Sequence, residues 1–112
     1  MPCITVKTNC PVSDEMRVTL KAELGGIISL IPRKSEKWLM CIFEEHSMWL
    51  SGTDEPAAIV ELQLFGAIAP DVFAQFAKQV TQRLASMLHI PPERIYCTCF
   101  ETPYWGWNGN PL

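Results

Sequence analysis

The sequence has few of the residues that bind metals or nucleic acids. Its only two histidines, His46 and His89, lie far apart, and its five cysteines include no Cys-x-x-Cys pair. A zinc site is therefore not expected, and the odd number of cysteines disfavours a disulfide framework. No run of lysine or arginine exceeds two residues, and the formal net charge is −3. We therefore expect no metal and no surface that follows a nucleic-acid backbone.

No stretch of the sequence is typical of a membrane or export segment. The first residues are strand-like, without the basic region and apolar core of a signal peptide, and no apolar run approaches the ~20 residues of a membrane span. Buried free thiols are typical of proteins in a reducing compartment. We predict a cytoplasmic protein without a membrane partner; release by a non-classical route is the alternative left open.

The sequence does contain enough apolar material for a packed core. Of its 112 residues, 48% are hydrophobic and 19% are charged, which favours folding over disorder. We predict a single domain over residues 1–112. Three of the four tryptophans (Trp49, Trp105 and Trp107) lie in segments typical of loops or sheet edges, where a partner or ligand is expected to bury them.

The first half of the sequence has the pattern strand, helix, strand. Residues 3–8 alternate, with Ile4, Val6 and Thr8 on one side. Ser13 is a typical helix N-cap, and an apolar stripe at helical period follows it as far as Ile31. The stripe contains Gly25-Gly26, where either another element packs closely or the helix ends early. Of these two alternatives we favour close packing. The near-continuous apolar run 38–44 predicts a strand covered on both faces.

The second half repeats this order of elements. Residues 57–64 predict a strand, and Pro70 begins a helix with a clean apolar stripe that Pro91-Pro92 prevents from continuing. Residues 95–100 predict the last long strand, and 104–107 a further short one.

Two strand–helix–strand units predict an α+β fold. Because β-α-β crossovers are right-handed, both helices should cover one face of a common four-stranded mixed sheet. Residues 39–43 and 57–64 are apolar on both strand faces, so that a monomer would expose a large apolar surface. We therefore expect the second face to be buried by oligomerisation.

Pro2 is the residue that points most specifically to a chemical function. It follows the initiator methionine, which aminopeptidases generally remove when the next residue is small. Removal of Met1 would leave Pro2 with a free secondary amine, a base whose pKa is about 8 and falls on desolvation or beside a cation. Such a pKa suits a general base. Met-Pro is also a common start, and taken alone it points to no function.

Several short motifs, in their combined order, resemble the macrophage migration inhibitory factor family of the 4-oxalocrotonate tautomerase superfamily. The resemblance implies a homotrimer in which three sheets enclose a central barrel, with active sites at subunit boundaries. It also implies cofactor-free keto–enol tautomerisation of aromatic α-keto acids such as phenylpyruvate, and of dopachrome-like compounds. The motifs are Met1-Pro2, the Gly-Thr-Asp-Glu-Pro turn at 52–56, Leu64-Phe65-Gly66, Ile-Pro-Pro-Glu-Arg-Ile-Tyr at 90–96 and Gly106-Trp107-Asn108.

The same resemblance implies roles for individual residues. Pro2 matches the catalytic proline, and Lys34 matches the lysine that binds the substrate anion, with Arg33 as the alternative. The residues implied to line the substrate pocket are Phe65, Tyr96 and Trp107, with Trp38 and Trp105 as further aromatic wall. Thr98 stands where relatives have a substrate-contacting asparagine. Residues 57–60 read Ala-Ala-Ile-Val, without the Cys-x-x-Cys that some relatives use for thiol oxidoreduction.

Two other functions stay open at this point. One is a secreted cytokine-like signalling protein whose pocket binds a receptor or ligand, and the other is a structural trimer without activity. The tautomerase interpretation predicts a small aromatic α-keto acid as substrate, whereas the signalling interpretation predicts a receptor as partner.

Overall fold

A computed structural model describes all of residues 1–112. Its helices and strands follow in the order β1 Pro2–Thr8, α1 Asp14–Ile27, β2 Met40–Glu45, β3 Ala58–Phe65, α2 Pro70–Leu88, β4 Ile95–Thr102, β5 Gly106–Trp107 and β6 Asn110–Pro111. No helix of the chain combines the length and the apolar character that crossing a bilayer requires.

The four long strands form one mixed sheet in the order β2-β1-β3-β4. Strand β1 is parallel to β2 and antiparallel to β3, and β3 is parallel to β4. Each parallel pair is joined by a helix, α1 in the first half and α2 in the second. The predicted pair of βαβ units in one four-stranded sheet is therefore confirmed.

The core lies between the helices and one face of this sheet. Ile4 and Val6 of β1 are fully buried, as the alternation of β1 predicts, and they share one apolar cluster with residues of both helices. The fully buried side chains of that cluster include Leu20 and Leu24 of α1, Val60, Leu62 and Leu64 of β3, and Phe76, Val80 and Leu84 of α2.

The opposite sheet face is polar in its centre and apolar at its edges. Lys7 of β1 forms a 2.8 Å ion pair with Glu61 of β3. The prediction that β3 is apolar on both faces is therefore wrong, because its burial alternates residue by residue. The exposed apolar side chains come from the outer strands, and they are Met40, Ile42, Tyr96 and Phe100.

The end of α1 departs from the predicted continuous stripe. The α-helix ends at Ile27, and a 3-10 turn, Ile28–Leu30, follows it directly. A Cβ atom on Gly25 would collide with the side chain of Glu36, whereas a Cβ atom on Gly26 would meet open space. Close packing is thus confirmed at Gly25 and wrong at Gly26.

Two other boundaries differ from the predicted ones. Trp38 lies outside β2, at the end of a 3-10 turn, Glu36–Trp38, because the apolar run starts before the strand does. The predicted strand at 104–107 shortens to β5, which pairs with β6 across Asn108 and Gly109. Both of these residues have positive φ, which is the conformation that a tight two-residue hairpin turn requires.

The turn at residues 50–57 is held by two distant side chains. The buried Arg94 guanidinium donates hydrogen bonds of 2.9–3.2 Å to four backbone carbonyl oxygens, those of Leu50, Thr53, Glu55 and Pro56. The Asn9 amide donates to the carbonyl oxygens of Asp54 and Glu55, and accepts from the N–H of Ala57. Two of the sequence motifs, residues 52–56 and residues 90–96, therefore meet at one place in the fold.

Candidate active site

The start of β1, the connection after α1 and the end of β3 converge at the N-terminus. The N–H of Phe65 donates a 3.1 Å hydrogen bond to the carbonyl oxygen of Met1. The carbonyl oxygen of the same Phe65 accepts a 2.9 Å hydrogen bond from Lys34 Nζ. The backbone of one residue therefore holds both the chain terminus and the lysine, and brings Pro2, Lys34 and Phe65 together.

The terminal amine at this place is easier to deprotonate than an ordinary one. Desolvation is the main cause that lowers the pKa of the Met1 amine below its usual 8.0, and the adjacent Lys34 ammonium lowers this pKa further. Here the free amine belongs to Met1, while the nitrogen of Pro2 is an amide without base character. Met1 is half-buried and Pro2 is buried, so solvent exposure decreases from Met1 to Pro2.

The structure distinguishes Lys34 from Arg33. Lys34 is half-buried and bonded to Phe65, whereas Arg33 is exposed and has a left-handed backbone, with φ of 66°. Only Lys34 directs its charge towards the chain terminus, so it is the better placed cation of the two.

Tyr96 does not join this group within one chain. In the sheet register Tyr96 lies opposite Ile59, while Pro2 lies opposite Leu64, five residues further along β3. At about 3.3 Å per residue, the two positions are separated by roughly 16 Å along the strand. Tyr96 instead lies on the uncovered sheet face, where 55% of its surface is exposed.

The tryptophans implied to line the pocket occupy the C-terminal hairpin. Trp107 lies in β5 and packs edge-to-face on Trp38, with ring centroids 5.5 Å apart. Trp105 is half-buried and lines a cavity of about 420 Å³ formed within the hairpin, apart from Pro2. A single protomer therefore does not assemble the predicted cavity of Phe65, Tyr96, Trp105 and Trp107.

The hydroxyl of Thr98 is not accessible to solvent in this chain. Its Oγ1 atom is buried and has no hydrogen-bond partner. Thr98 lies opposite Glu61 on β3, whose carboxylate pairs with Lys7. The hydrogen bond that an asparagine would make to substrate is thus not reproduced by an accessible group.

The cysteines are free thiols. Burial raises the pKa of Cys41 to about 11 and that of Cys97 to about 12, with the neighbouring Cys99 adding to the second shift. Thiols with such pKa values are poor nucleophiles at neutral pH, so these two are packing residues rather than reactive ones.

Sequence reasoning missed two long-range relationships in the fold. One is the Trp38–Trp107 contact, which joins residues 69 positions apart with no local spacing to reveal it. The other is the set of hydrogen bonds from Arg94, because a buried arginine has the same sequence signature as an exposed one. The resemblance of residues 90–96 to a family motif was the only available signal for Arg94.

Two βαβ units in one sheet, with a proline opening β1 and a lysine beside the chain terminus, form an architecture that other solved proteins share. A solved member of the cis-3-chloroacrylic acid dehalogenase family shares this fold, with a TM-score of 0.84 at 18% identity. The family model for macrophage migration inhibitory factor matches residues 1–112, and the chain belongs to this family.

The chain is similar to its relatives over nearly their whole length. It is 25% identical to macrophage migration inhibitory factor of Mus musculus, over 98% of this chain and 97% of that protein. The crystal structure of Leishmania major MIF2 is 27% identical, with a TM-score of 0.94, over 100% of this chain and 97% of that one. A homologue from Prochlorococcus marinus is 26% identical, with a TM-score of 0.82 and 97% of both chains covered.

Proposed function

We propose that this protein is a cofactor-independent keto–enol tautomerase of aromatic α-keto acids of the phenylpyruvate type, with dopachrome-like compounds as further substrates. The general base is the secondary amine of Pro2 after Met1 has been removed. The observation that carries the proposal is the placement of the chain terminus in a desolvated position beside Lys34, which lowers the pKa of an amine there.

Removal of Met1 moves the terminal amine to Pro2, which is more deeply buried than Met1. We expect desolvation to lower the pKa of the Pro2 amine in the same direction as that of the Met1 amine, and the Lys34 ammonium remains on the neighbouring connection. A neutral Pro2 nitrogen takes the enol hydroxyl proton and returns it to the adjacent carbon. Because only one proton moves, neither an oxidant nor a second substrate is required.

Lys34 binds the negatively charged end of the substrate. Its ammonium carries spare donors beyond the one given to Phe65, and these are suited to the carboxylate or to the oxygen on which charge develops. Phe65, whose side chain is half-buried beside this group, provides apolar wall for the ring.

The substrate pocket is completed in a homotrimer. Tyr96 is too far from Pro2 to act in the same chain, yet it lies exposed on the uncovered sheet face with other apolar side chains of the outer strands. Burying this face against neighbouring protomers would remove the exposed apolar area and bring Tyr96 of one protomer towards Pro2 of the next. Trp107 adds the indole wall.

The test compares rates of phenylpyruvate enol ketonisation after intact mass has verified the loss of Met1. Pro2→Gly keeps a terminal amine, because glycine also permits methionine removal, but replaces the secondary amine with a primary one on a mobile residue. We expect a large loss of rate for Pro2→Gly and a smaller loss for Lys34→Ala. Equal rates for the wild type and Pro2→Gly would exclude Pro2 as the base.

A second candidate is a secreted cytokine-like signalling protein whose pocket serves receptor or ligand binding. It is favoured by the name of the rodent relatives, which describes an effect on macrophage migration. The five free thiols favour a cytoplasmic protein, so that signalling would require release by a non-classical route. Receptor binding that survives Pro2→Gly would support this candidate over the enzyme.

A further inference from the structure

The chain contains three asparagines, and their side chains have different environments. Asn9 is half-buried, and its amide group makes three hydrogen bonds of 2.9–3.1 Å with the backbone of residues 54–57. Asn108 and Asn110 are exposed on the C-terminal hairpin. The Asn110 side chain donates a 3.1 Å hydrogen bond to the carbonyl oxygen of Asn108, whereas the Asn108 side chain makes no hydrogen bond. Of the three side-chain amides, that of Asn108 is the one left free.

The residue that follows Asn108 makes its side chain chemically vulnerable. The main-chain nitrogen of the next residue can attack the amide carbon of an asparagine side chain. For Asn108 this nitrogen belongs to Gly109, whose N–H makes no hydrogen bond and which is itself exposed. Glycine has no Cβ atom to obstruct the attack, and its backbone is the least restricted of all residues.

The other two asparagines lack such a nitrogen. Asn110 is followed by Pro111, whose ring nitrogen carries no hydrogen to lose. Asn9 is followed by Cys10, whose N–H donates a 3.1 Å hydrogen bond to Thr8 Oγ1. Both the side chain of Asn9 and the nitrogen that could attack it are therefore held in place.

The hairpin that carries Asn108 is weakly attached to the rest of the chain. Strands β5 and β6 pair through two residue pairs, and every hydrogen bond from residues 103–112 ends within residues 102–112. No salt bridge joins the hairpin to the sheet or the helices. An isolated two-stranded hairpin is marginally stable in water, and such segments open locally at low cost. We therefore expect the turn to open often, which permits the rotation of the Asn108 backbone that the attack requires.

We propose that Asn108 is a site of spontaneous deamidation, with water as the only co-reactant. The Gly109 nitrogen bonds to Cγ of Asn108, the bond from Cγ to the side-chain nitrogen breaks, and ammonia leaves with the proton from Gly109. Water then opens the resulting five-membered succinimide ring. Opening at Cγ gives aspartate, and opening at the main-chain carbonyl gives isoaspartate. No oxidant or reductant takes part, and the proposal does not depend on the tautomerase function.

The two products have different consequences for the hairpin. Both add one negative charge to a chain whose formal net charge is −3. Aspartate leaves the backbone unchanged, whereas isoaspartate routes the main chain through the former side chain and lengthens the turn by one carbon. A two-residue turn is sensitive to such a change, because its length fixes the pairing of Trp107 with Asn110. We expect isoaspartate to disturb this pairing and to move Trp107 away from its 5.5 Å contact with Trp38.

The first experiment incubates the full-length protein at neutral pH and physiological temperature and follows each asparagine by peptide mass spectrometry with fragmentation. We expect conversion at Asn108 to be at least an order of magnitude faster than at Asn9 or Asn110. Asn108→Gln should abolish the fast conversion, and the matched variant Asn110→Gln should leave it unchanged. Fast conversion that persists in Asn108→Gln, or equal rates at all three asparagines, would overturn the proposal.

The second experiment tests whether the hairpin opens, by comparing the folded protein with the urea-unfolded chain. The rate at Asn108 should fall by no more than about tenfold on folding, because opening the hairpin breaks few contacts. The rate at Asn9 should fall much further, because its reaction requires loss of the hydrogen bonds to residues 54–57. Protection of Asn108 as strong as that of Asn9 would contradict the proposal.

The third experiment reads the effect on the hairpin through the indole N–H resonances of the tryptophans. A second Trp107 resonance should appear in the aged protein in proportion to its isoaspartate content, and should be absent from freshly prepared Asn108→Asp. The resonance of Trp49, which is exposed and lies outside the hairpin, should stay single. An unsplit Trp107 resonance in protein that contains isoaspartate would overturn the expected change of the hairpin.

Discussion

Lys34 Nζ donates a 2.9 Å hydrogen bond to the carbonyl oxygen of Phe65, and the N–H of that same Phe65 binds the carbonyl oxygen of Met1. A single peptide segment at the end of β3 thereby sets the distance between a fixed cation and the start of the chain. Desolvation and this cation together lower the pKa of the Met1 amine, and this shift is the basis of the first prediction.

The pH dependence of catalysis should report this lowered pKa. A base acts in its neutral form, so activity is present above the amine pKa and is lost as the pH falls through it. Desolvation and Lys34 lower the pKa of the Met1 amine below 8.0, and the Pro2 amine that replaces it after removal of Met1 lies beside the same lysine, so we expect the midpoint of the rising limb of kcat/KM below pH 8.0. Lys34→Met should move this midpoint upward by removing the like charge, while Arg33→Met should leave it in place. A midpoint that Lys34→Met does not move would contradict the assignment.

Gly25 and Gly26 provide a matched pair in the last turn of α1. Alanine is favoured over glycine inside a helix by about 1 kcal/mol, and Gly26 has open space for the new methyl group. Gly26→Ala should therefore stabilise the protein by about 0.5–1 kcal/mol in urea denaturation.

Gly25→Ala should gain less than Gly26→Ala or destabilise the protein, because the new methyl group displaces the Glu36 side chain. Since Glu36 is exposed, its side chain can move away, and the two alanine variants should become equal in a Glu36→Ala background. Equal stabilities with Glu36 intact would show that this contact has no energetic effect.

Arg94 should be among the most sensitive residues of the fold. Its guanidinium satisfies four backbone carbonyl oxygens, and a lysine ammonium cannot reach all four from one position. We expect Arg94→Lys to lower the free energy of unfolding by about 2–4 kcal/mol, measured by urea denaturation. The half-exposed surface pair Arg83–Glu23 offers the control, because Arg83→Lys should cost less than about 1 kcal/mol. A loss at Arg94 no greater than that at Arg83 would contradict the role of the buried guanidinium.

The thiols of Cys41 and Cys97 should resist alkylation in the folded protein. Burial raises their pKa to about 11 and about 12, so that near pH 8 both are almost entirely protonated, and the protonated thiol is not the nucleophile. Iodoacetamide labelling followed by peptide mass spectrometry should find both much slower in the folded than in the urea-unfolded chain. Labelling at the unfolded rate would show that these positions open readily.

Much of the fold could be predicted from local periodicity. The alternation of β1 identified Ile4 and Val6 as core residues, and Pro70 marked the start of α2, because both signals are contained in a few neighbouring residues. The sequence predicts Trp38 in a strand because no glycine or proline separates its turn from β2. The polar residues of β3 on the uncovered face, Glu61 and Gln63, alternate with buried apolar residues in the sequence itself, and treating 57–64 as one apolar run overlooks this alternation.

The candidate site could be predicted only in part. Pro2, Lys34 and Phe65 are brought together by three separate segments, and the family resemblance, rather than their spacing, indicated that they belong together. The same resemblance grouped Tyr96 with them, but the sheet register separates Tyr96 from Pro2 within one chain. A sequence pattern does not distinguish residues that meet within a chain from those that meet between chains.

The clamp formed by Asn9 and Arg94 binds only main-chain atoms of residues 50–57. The clamp consequently makes no demand on the side chains of Asp54 and Glu55. Evolution can exchange those side chains without changing the course of the backbone beneath them. Divergent homologues can thus present different side chains on the surface of this turn while its backbone keeps the same course.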